Sequence, residues 1–224
     1  AGWILAKRIF IKDDSLKEKF DDFITYIILG IIIGGRLGYV IFYNLDYYLI
    51  NPVEIFKIWH GGMSFHGGLL GVIVMSIWFA KKHSHSSYIY LDVVSLVAPV
   101  GIFFGRIANF INSELYGKET NLPWGVKFEK IDEIYRHPSQ LYEAFFEGLL
   151  LFFILIYFYK RASAKNPGFI SGIFLIFYST FRFLIEFLRI PDEHLGYVLF
   201  NLSMGQILCS VFFIFGSYLT LKKL

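Results

Sequence analysis

Six apolar runs, at residues 22–43, 63–80, 88–110, 138–159, 168–188 and 202–221, each come close to the ~20 residues that a helix needs to cross a hydrocarbon layer. A backbone inside lipid finds no water, so such runs fold as helices that satisfy their own N–H and C=O groups. The composition agrees. Hydrophobic residues make up 56% of the chain and charged residues 17%, with a mean hydropathy of +0.55, which leaves too little polar surface for a water-soluble domain of this length. No internal repeat, low-complexity tract or linker divides the pattern. The expected fold is an all-α, polytopic transmembrane helical bundle with six complete spans, forming a single domain over residues 1–224. Residues 1–10 are apolar and are followed at once by basic side chains, so they read as the remnant of an earlier, truncated span; a parent chain would then have seven. A signal peptide carries its positive charges before the apolar stretch instead.

Lysine and arginine set the expected orientation. Alternate connections hold Lys7, Arg8, Lys12, Lys17 and Lys19, then Lys81 and Lys82, then Lys160, Arg161 and Lys165, then Lys222 and Lys223. The intervening connections are longer yet hold only Lys57, Lys118, Lys127, Lys130 and Arg136. The first set marks the cytoplasmic face. The pI of 8.8 is thus a consequence of topology, and no nucleic-acid partner is expected. The longest outward connection, residues 112–137, places the turn formers Gly117, Asn121, Pro123 and Gly125 among Trp124, Val126 and Phe128. That pattern predicts a small extracytoplasmic cap with a hairpin. Cys209 is the single cysteine and lies inside the last run, so the chain has neither a disulfide framework nor a cysteine cluster for a metal. His83 and His85 sit among lysines and serines in a cytoplasmic loop and read as solvated.

Polar residues inside the runs gather toward one end. Arg36 lies near the outward end of the first run and His66 at the outward start of the second. Arg106 and Asn109 close the third as it exits; Gln140, Glu143 and Glu147 open the fourth; Arg182, Glu186 and Arg189 end the fifth. A charge at the bilayer centre costs ~2.5–3.5 kcal/mol, so such residues need partners or a task. At about 100° per residue, Arg182, Glu186 and Arg189 share a ~60° face, Gln140, Glu143 and Glu147 share another, and Arg106 and Asn109 are one turn apart. These stripes face inward, either to line a shared cavity or to pair with one another and fix the packing. The pairs Gly34-Gly35, Gly61-Gly62 and Gly67-Gly68 carry the same two readings, close approach of helices or backbone N–H groups offered to an anionic ligand. A permeation route would continue its polar residues through the inner halves of the spans, yet residues 149–158 and 173–178 are nearly all apolar. A one-sided pocket fits better than a transporter or a noncatalytic scaffold.

Five motifs carry a family resemblance: Gly35-Arg36-Leu37-Gly38-Tyr39-Val40-Ile41-Phe42-Tyr43-Asn44; Gly61-Gly62-Met63-Ser64-Phe65-His66-Gly67-Gly68-Leu69-Leu70-Gly71; Gly105-Arg106-Ile107-Ala108-Asn109 through Gly117; Arg136-His137-Pro138-Ser139-Gln140-Leu141-Tyr142-Glu143; and residues 182–196 with Glu186-Phe187, Arg189 and Pro191-Asp192. In this order, along essentially the whole chain, they resemble the signatures of bacterial prolipoprotein diacylglyceryl transferases. The resemblance implies a transferase of the bacterial cytoplasmic (inner) membrane with its site toward the extracytoplasmic side. It would move the sn-1,2-diacylglyceryl group of phosphatidylglycerol to the lipobox cysteine in the signal peptide region of preprolipoproteins and release glycerol phosphate. Its partners are then phosphatidylglycerol, the preprolipoprotein and the lipid bilayer, with no cofactor and no metal. The catalytic positions implied are His66, Arg106, Asn109, Glu114, Arg182 and Glu186; those expected at the substrates are Arg36, Gly67, Gly68, Gly117, Arg136, Gln140, Glu143 and Arg189. The chemistry of the side chains fits. Arginine forks match phosphate oxygens, with Arg106 and Arg182 first and Arg136 and Arg189 second. A thiol attacks as thiolate, and His66 suits the base that would generate it. Glu186 either holds Arg182 or receives a proton, Asn109 orients lipid esters or glycerol hydroxyls, and Glu143 and Glu147 read chiefly as neutralising the arginines. The family's first span also contributes a functional tyrosine. That region precedes Ala1, and neither Tyr39 nor Tyr43 is given its role.

Overall fold

The computed structural model describes residues 2–11, 14–162, 166–190, 198 and 201–223. Lys12 and Lys165 of the orientation argument, and Pro191-Asp192 of the last motif, lie outside the described residues. The chain begins with α1 (Gly2–Leu5), which runs into a π-helical turn at Ala6–Phe10. Then come α2 (Asp14–Tyr43), α3 (Leu45–Ile50), two 3-10 turns at Pro52–Phe56 and Ile58–His60, α4 (Phe65–Lys82) and α5 (Ser87–Asn112). The connection after α5 contains β1 (Val126–Lys127) and β2 (Tyr135–Arg136). α6 (Ser139–Glu143) continues through π-helical Ala144–Leu150 into α7 (Leu151–Ala162). α8 (Phe169–Ile185) ends in a 3-10 turn at Glu186–Leu188, and α9 (Met204–Lys223) follows.

Five of these helices are long and apolar enough to cross a membrane: Asp14–Tyr43, Ser87–Asn112, Ser139–Arg161, Phe169–Leu188 and Met204–Lys222. The architecture is that of an all-α, multi-pass membrane protein. Helix α4 holds most of the remaining apolar run. Its 18 residues include His66 at one end and Lys81-Lys82 at the other, which lower its average hydropathy.

Two compact units make up the chain, Lys7–Leu91 and Asp92–Leu224 with Ala1–Ala6. In the first, α2 and α4 meet backbone to backbone. Gly30, Gly34 and Gly38 recur every fourth residue on α2 and face Gly67 and Gly71 on α4. A Cβ on Gly30 would stand 2.7 Å from the Gly71 carbonyl oxygen, nearer than real Cβ atoms come. In lipid, where no hydrophobic drive pulls helices together, this closeness is what lets dispersion hold them. Phe20, Phe23, Phe79 and Tyr90 pack beside that seam with neighbouring ring centroids 4.7–5.7 Å apart, at offset angles that suit the ring quadrupoles.

The second unit holds α6–α7, α8, α9 and all but the first residues of α5. Asp92 on α5 accepts hydrogen bonds from Gly168 N (2.7 Å), Ser171 N (2.8 Å) and Ser171 Oγ (2.6 Å). Its carboxylate thereby satisfies the open N–H groups at the start of α8. Gly172 and Gly216 bring α8 and α9 close: a Cβ on Gly216 would lie 2.8 Å from Leu175 Cβ. Gly148, within the π-helical stretch, abuts Phe103 of α5 in the same way. Helix α9 opens on a reciprocal cap, with Gln206 N donating to Ser203 Oγ (3.2 Å) and Ser203 N donating to Gln206 Oε1 (3.0 Å), the S-x-x-Q form of the capping box.

Candidate active site

Three helices and the segment beyond α8 send charged side chains to one buried cluster. α5 supplies Arg106, the α6–α7 helix supplies Glu143 and Glu147, α8 supplies Arg182, and its 3-10 extension leads through Glu186 to Arg189. Glu143 is fully buried. Its Oε2 lies 2.9 Å from Arg106 Nε, its Oε1 accepts from Arg189 Nη1 at 2.8 Å, and the same oxygen accepts from Arg182 Nη1. Glu186 Oε2 lies 2.9 Å from Arg182 Nη2 and 3.7 Å from Arg189 Nε, while its Oε1 accepts from Ser203 Oγ at 3.0 Å. Glu147 is also fully buried but only loosely approached, 3.7 Å from Arg106 Nη2 and 4.0 Å from Arg182 Nη1. Buried charges persist only when paired, so these six side chains depend on one another. The inward stripes thus meet and pair. The π-helical stretch from Ala144 onward shifts the residues that follow around the axis, and such stretches are frequent at functional sites.

The connection between α5 and α6 is fastened beside this cluster. Ser113 and Leu115 take left-handed φ values of 62° and 55°, a sparse region for residues with a Cβ. Their turn is held from α6: Gln140 Nε2 donates to Glu114 O at 2.5 Å and Ser139 Oγ to Leu115 O at 3.0 Å. Glu114 N donates back to Asn109 O (2.9 Å), and the Glu114 side chain is exposed while Asn109 is half-buried. Gly117 N donates to His137 O at 2.9 Å and Lys118 N to Leu188 O at 2.8 Å. A Cβ on Gly117 would stand 2.7 Å from both of those acceptors, so only glycine lets the loop pass between the two backbones and form its bridge to Arg189. β1 and β2 pair antiparallel, Val126 opposite Arg136 and Lys127 opposite Tyr135. Arg136 is engaged within this loop, with Nη2 2.5 Å from Asp132 Oδ2 and its guanidinium stacked 5.1 Å over the centre of the Tyr116 ring. That hydrogen bond holds the Asp132 carboxyl below the usual carboxylate range.

The other unit carries Arg36, His66, Gly67 and Gly68. Arg36 spends all its donors on main-chain oxygens: Nε on Ile55 O (2.9 Å), Nη1 on Gly61 O and on Gly62 O (3.0 Å), Nη2 on Glu54 O (2.5 Å) and Lys57 O (3.3 Å). A guanidinium has five such N–H groups, and through them Arg36 shapes the segment leading to α4. The chain there needs glycine, with φ of 82° at Gly61 and 78° at Gly62. Ser64 caps α4, accepting from Gly67 N at 3.2 Å. His66 sits in the first turn of α4, buried, with the Phe65 ring edge-on at 5.8 Å between centroids. Gly67 and Gly68 are buried beside it, and the close approach of Gly67 to α2 accounts for the first of them.

The structure thus brings Arg106, Glu143, Arg182, Glu186 and Arg189 into direct contact and hangs Gln140, Glu114 and Gly117 on the adjoining loop. Sequence reasoning passed over Ser139, Ser203 and Gln206. The Ser203–Gln206 spacing was a readable cap signal, whereas nothing in the sequence marks Ser139 as a loop fastener. Among the described residues, no group of three or more His, Cys, Asp or Glu is arranged to hold a metal ion.

The family model described as prolipoprotein diacylglyceryl transferase matches residues 1–222. The phosphatidylglycerol–prolipoprotein diacylglyceryl transferase of Rickettsia bellii is 50% identical over 224 residues, which is 99% of this chain and 85% of that protein. The proteins of the same name from Rickettsia felis and Rickettsia typhi are 51% and 50% identical over 221 residues, covering 97% of this chain and 85% of each. With the family model matched almost from end to end and about half of its residues shared with these relatives, the chain belongs to the prolipoprotein diacylglyceryl transferase family.

Proposed function

We propose that this chain transfers the sn-1,2-diacylglyceryl group of phosphatidylglycerol to the lipobox cysteine of a preprolipoprotein, the first step of lipoprotein maturation, in the inner membrane of a bacterium. The observation that carries the reading is the convergence of Arg106, Arg182 and Arg189 on one buried carboxylate, in a chain whose relatives are named for that transfer. The helix carrying His66 serves as the sixth span, the lysine-rich connections face the cytoplasm, residues 112–137 form an extracytoplasmic cap, and the whole is one transferase domain. The positive-inside distribution of Lys and Arg supports this orientation. Leu49, Ile50, Val53, Phe56 and Trp59 are exposed on the connection between α2 and α4, where apolar and aromatic side chains suit a lipid boundary.

On this reading Arg106 and Arg182, held in place by Glu143, offer further N–H groups to the phosphate oxygens of the lipid, with Arg189 beside them. Glu186, fastened by Ser203, keeps Arg182 aimed. Asn109 orients ester carbonyls or glycerol hydroxyls, and Gln140, Gly117, Glu114 and Arg136 form the neighbouring loop. His66 takes the proton of the cysteine thiol, with Gly67 and Gly68 at the same helix start available to an anionic group. The sulfur attacks the glyceryl carbon bonded to the phosphate oxygen. That C–O bond breaks, its electron pair leaves with the phosphate, and the products are a thioether and glycerol phosphate. Guanidiniums placed where the leaving charge develops lower the barrier, and loss of one such donor typically slows a reaction ~100-fold or more.

The test is transfer of acyl-labelled phosphatidylglycerol to a lipobox peptide by the purified full-length protein. The expected result is label on the peptide, abolished by changing its cysteine to serine and reduced at least ~100-fold by Arg106→Ala or Arg182→Ala. No transfer by the wild type would overturn the assignment, and near-normal transfer by His66→Gln would remove histidine as the base.

A further inference from the structure

Glu147 is the charged member of the cluster that the transfer chemistry leaves without a task. It is as deeply buried as Glu143 four residues before it, each side chain 0% exposed, yet the two are treated unequally. Glu143 is met by all three guanidiniums, whereas neither oxygen of Glu147 accepts a hydrogen bond. The groups that face Glu147 are Arg106 from α5, Arg182 and Tyr178 from α8, Arg189 from the segment beyond α8, Cys209 from α9, and Glu143 from its own helix. Glu186 stands behind Arg182.

Three arginines against three glutamates leave the cluster formally neutral without ligand. A phosphodiester adds one negative charge in a place withdrawn from water, where an unbalanced charge is expensive. Neutrality returns if one carboxylate is protonated. Glu143 and Glu186 are each tied to guanidiniums at 2.9 Å or less, whereas the charge of Glu147 has only the looser pairs, so it has least to lose. A neutral carboxyl also gains an O–H donor. We propose that Glu147 takes up a proton as the phosphate of phosphatidylglycerol enters the arginine cluster, making lipid binding proton-linked. The inference rests on the reading of that cluster as the phosphate site.

The test is isothermal titration calorimetry of the full-length protein in detergent with phosphatidylglycerol, in buffers of differing ionisation enthalpy and over a range of pH. Wild type is expected to take up about one proton per lipid, with an affinity that falls about tenfold per pH unit on the alkaline limb. Glu147→Gln, neutral at every pH, is expected to bind with no proton uptake and a flat pH profile. Binding by the wild type without uptake, or wild-type uptake retained in Glu147→Gln, would overturn the proposal. Should Glu147→Gln fail to fold, the wild-type proton count and a difference infrared spectrum decide: absence of a new protonated-carboxyl band on adding lipid overturns it. Binding without uptake leaves the phosphate-site reading standing, whereas no binding of phosphatidylglycerol by the wild type removes both.

Discussion

Replacing Glu143 with glutamine keeps the side-chain shape and deletes the charge on which three arginines converge. The carboxylate lies 2.9 Å from Arg106 and 2.8 Å from Arg189, with Arg182 also bonded to it. One opposite charge at 4 Å is worth ~4 kcal/mol at an effective dielectric of ~20, and desolvation of the buried ions cancels much of that in the intact cluster. Deleting one partner leaves the other ions desolvated and uncompensated, a loss of about 3–5 kcal/mol in comparable cases. Two carboxylates remain here. Glu186 stays within 2.9 Å of Arg182, while the nearest carboxylates to Arg106 and Arg189 are then at 3.7 Å. The lower figure of ~3 kcal/mol is therefore expected, somewhat more than a hundredfold in the folding equilibrium. Reversible unfolding in mixed micelles, followed by tryptophan fluorescence, measures it, and Glu143→Asp, which keeps the charge on a shorter arm, should fall between. A Glu143→Gln variant within ~0.5 kcal/mol of wild type, the range of an ordinary surface substitution, would refute the idea that this carboxylate holds the arginines.

Two helical glycines should respond oppositely to alanine. At Gly67 the new Cβ would lie 2.7 Å from Gly38 Cα, so α2 and α4 must separate at a cost of ~1–3 kcal/mol; at Gly101 nothing lies within 4 Å, so alanine should stabilise α5 by ~0.5–1 kcal/mol. Equal effects in the same unfolding assay would show that the tight helix seam is not what limits Gly67. The loop hairpin should loosen in acid. Asp132 is held below its ordinary range by Arg136, so its contribution is complete above the ordinary aspartate value of ~3.9 and is lost as pH falls through the lowered one. Amide exchange over residues 126–136 should accelerate there in wild type and show no such step in Asp132→Asn.

The membrane class, the approximate ends of the helices and the inward faces of the polar stripes are legible in the chain because each depends on local periodicity. An apolar run near 20 residues has no alternative to a helix in lipid, and residues four apart must share a face. The cap at Ser203 and Gln206 is local in the same sense. Tertiary structure alone decided the partners. That Arg36 turns to five carbonyl oxygens rather than outward follows from how the segment before α4 folds back over α2. That Gly67 is needed for helix contact and Gly117 for passage between two strands of backbone depends on what lies across from each. Glu143 and Glu147 look alike in sequence, one helical turn apart, yet one gathers three guanidiniums and the other is left without a hydrogen bond. Spacing along one helix fixes which way a side chain points; which charge meets it depends on other helices far away in the chain, whose positions only packing determines.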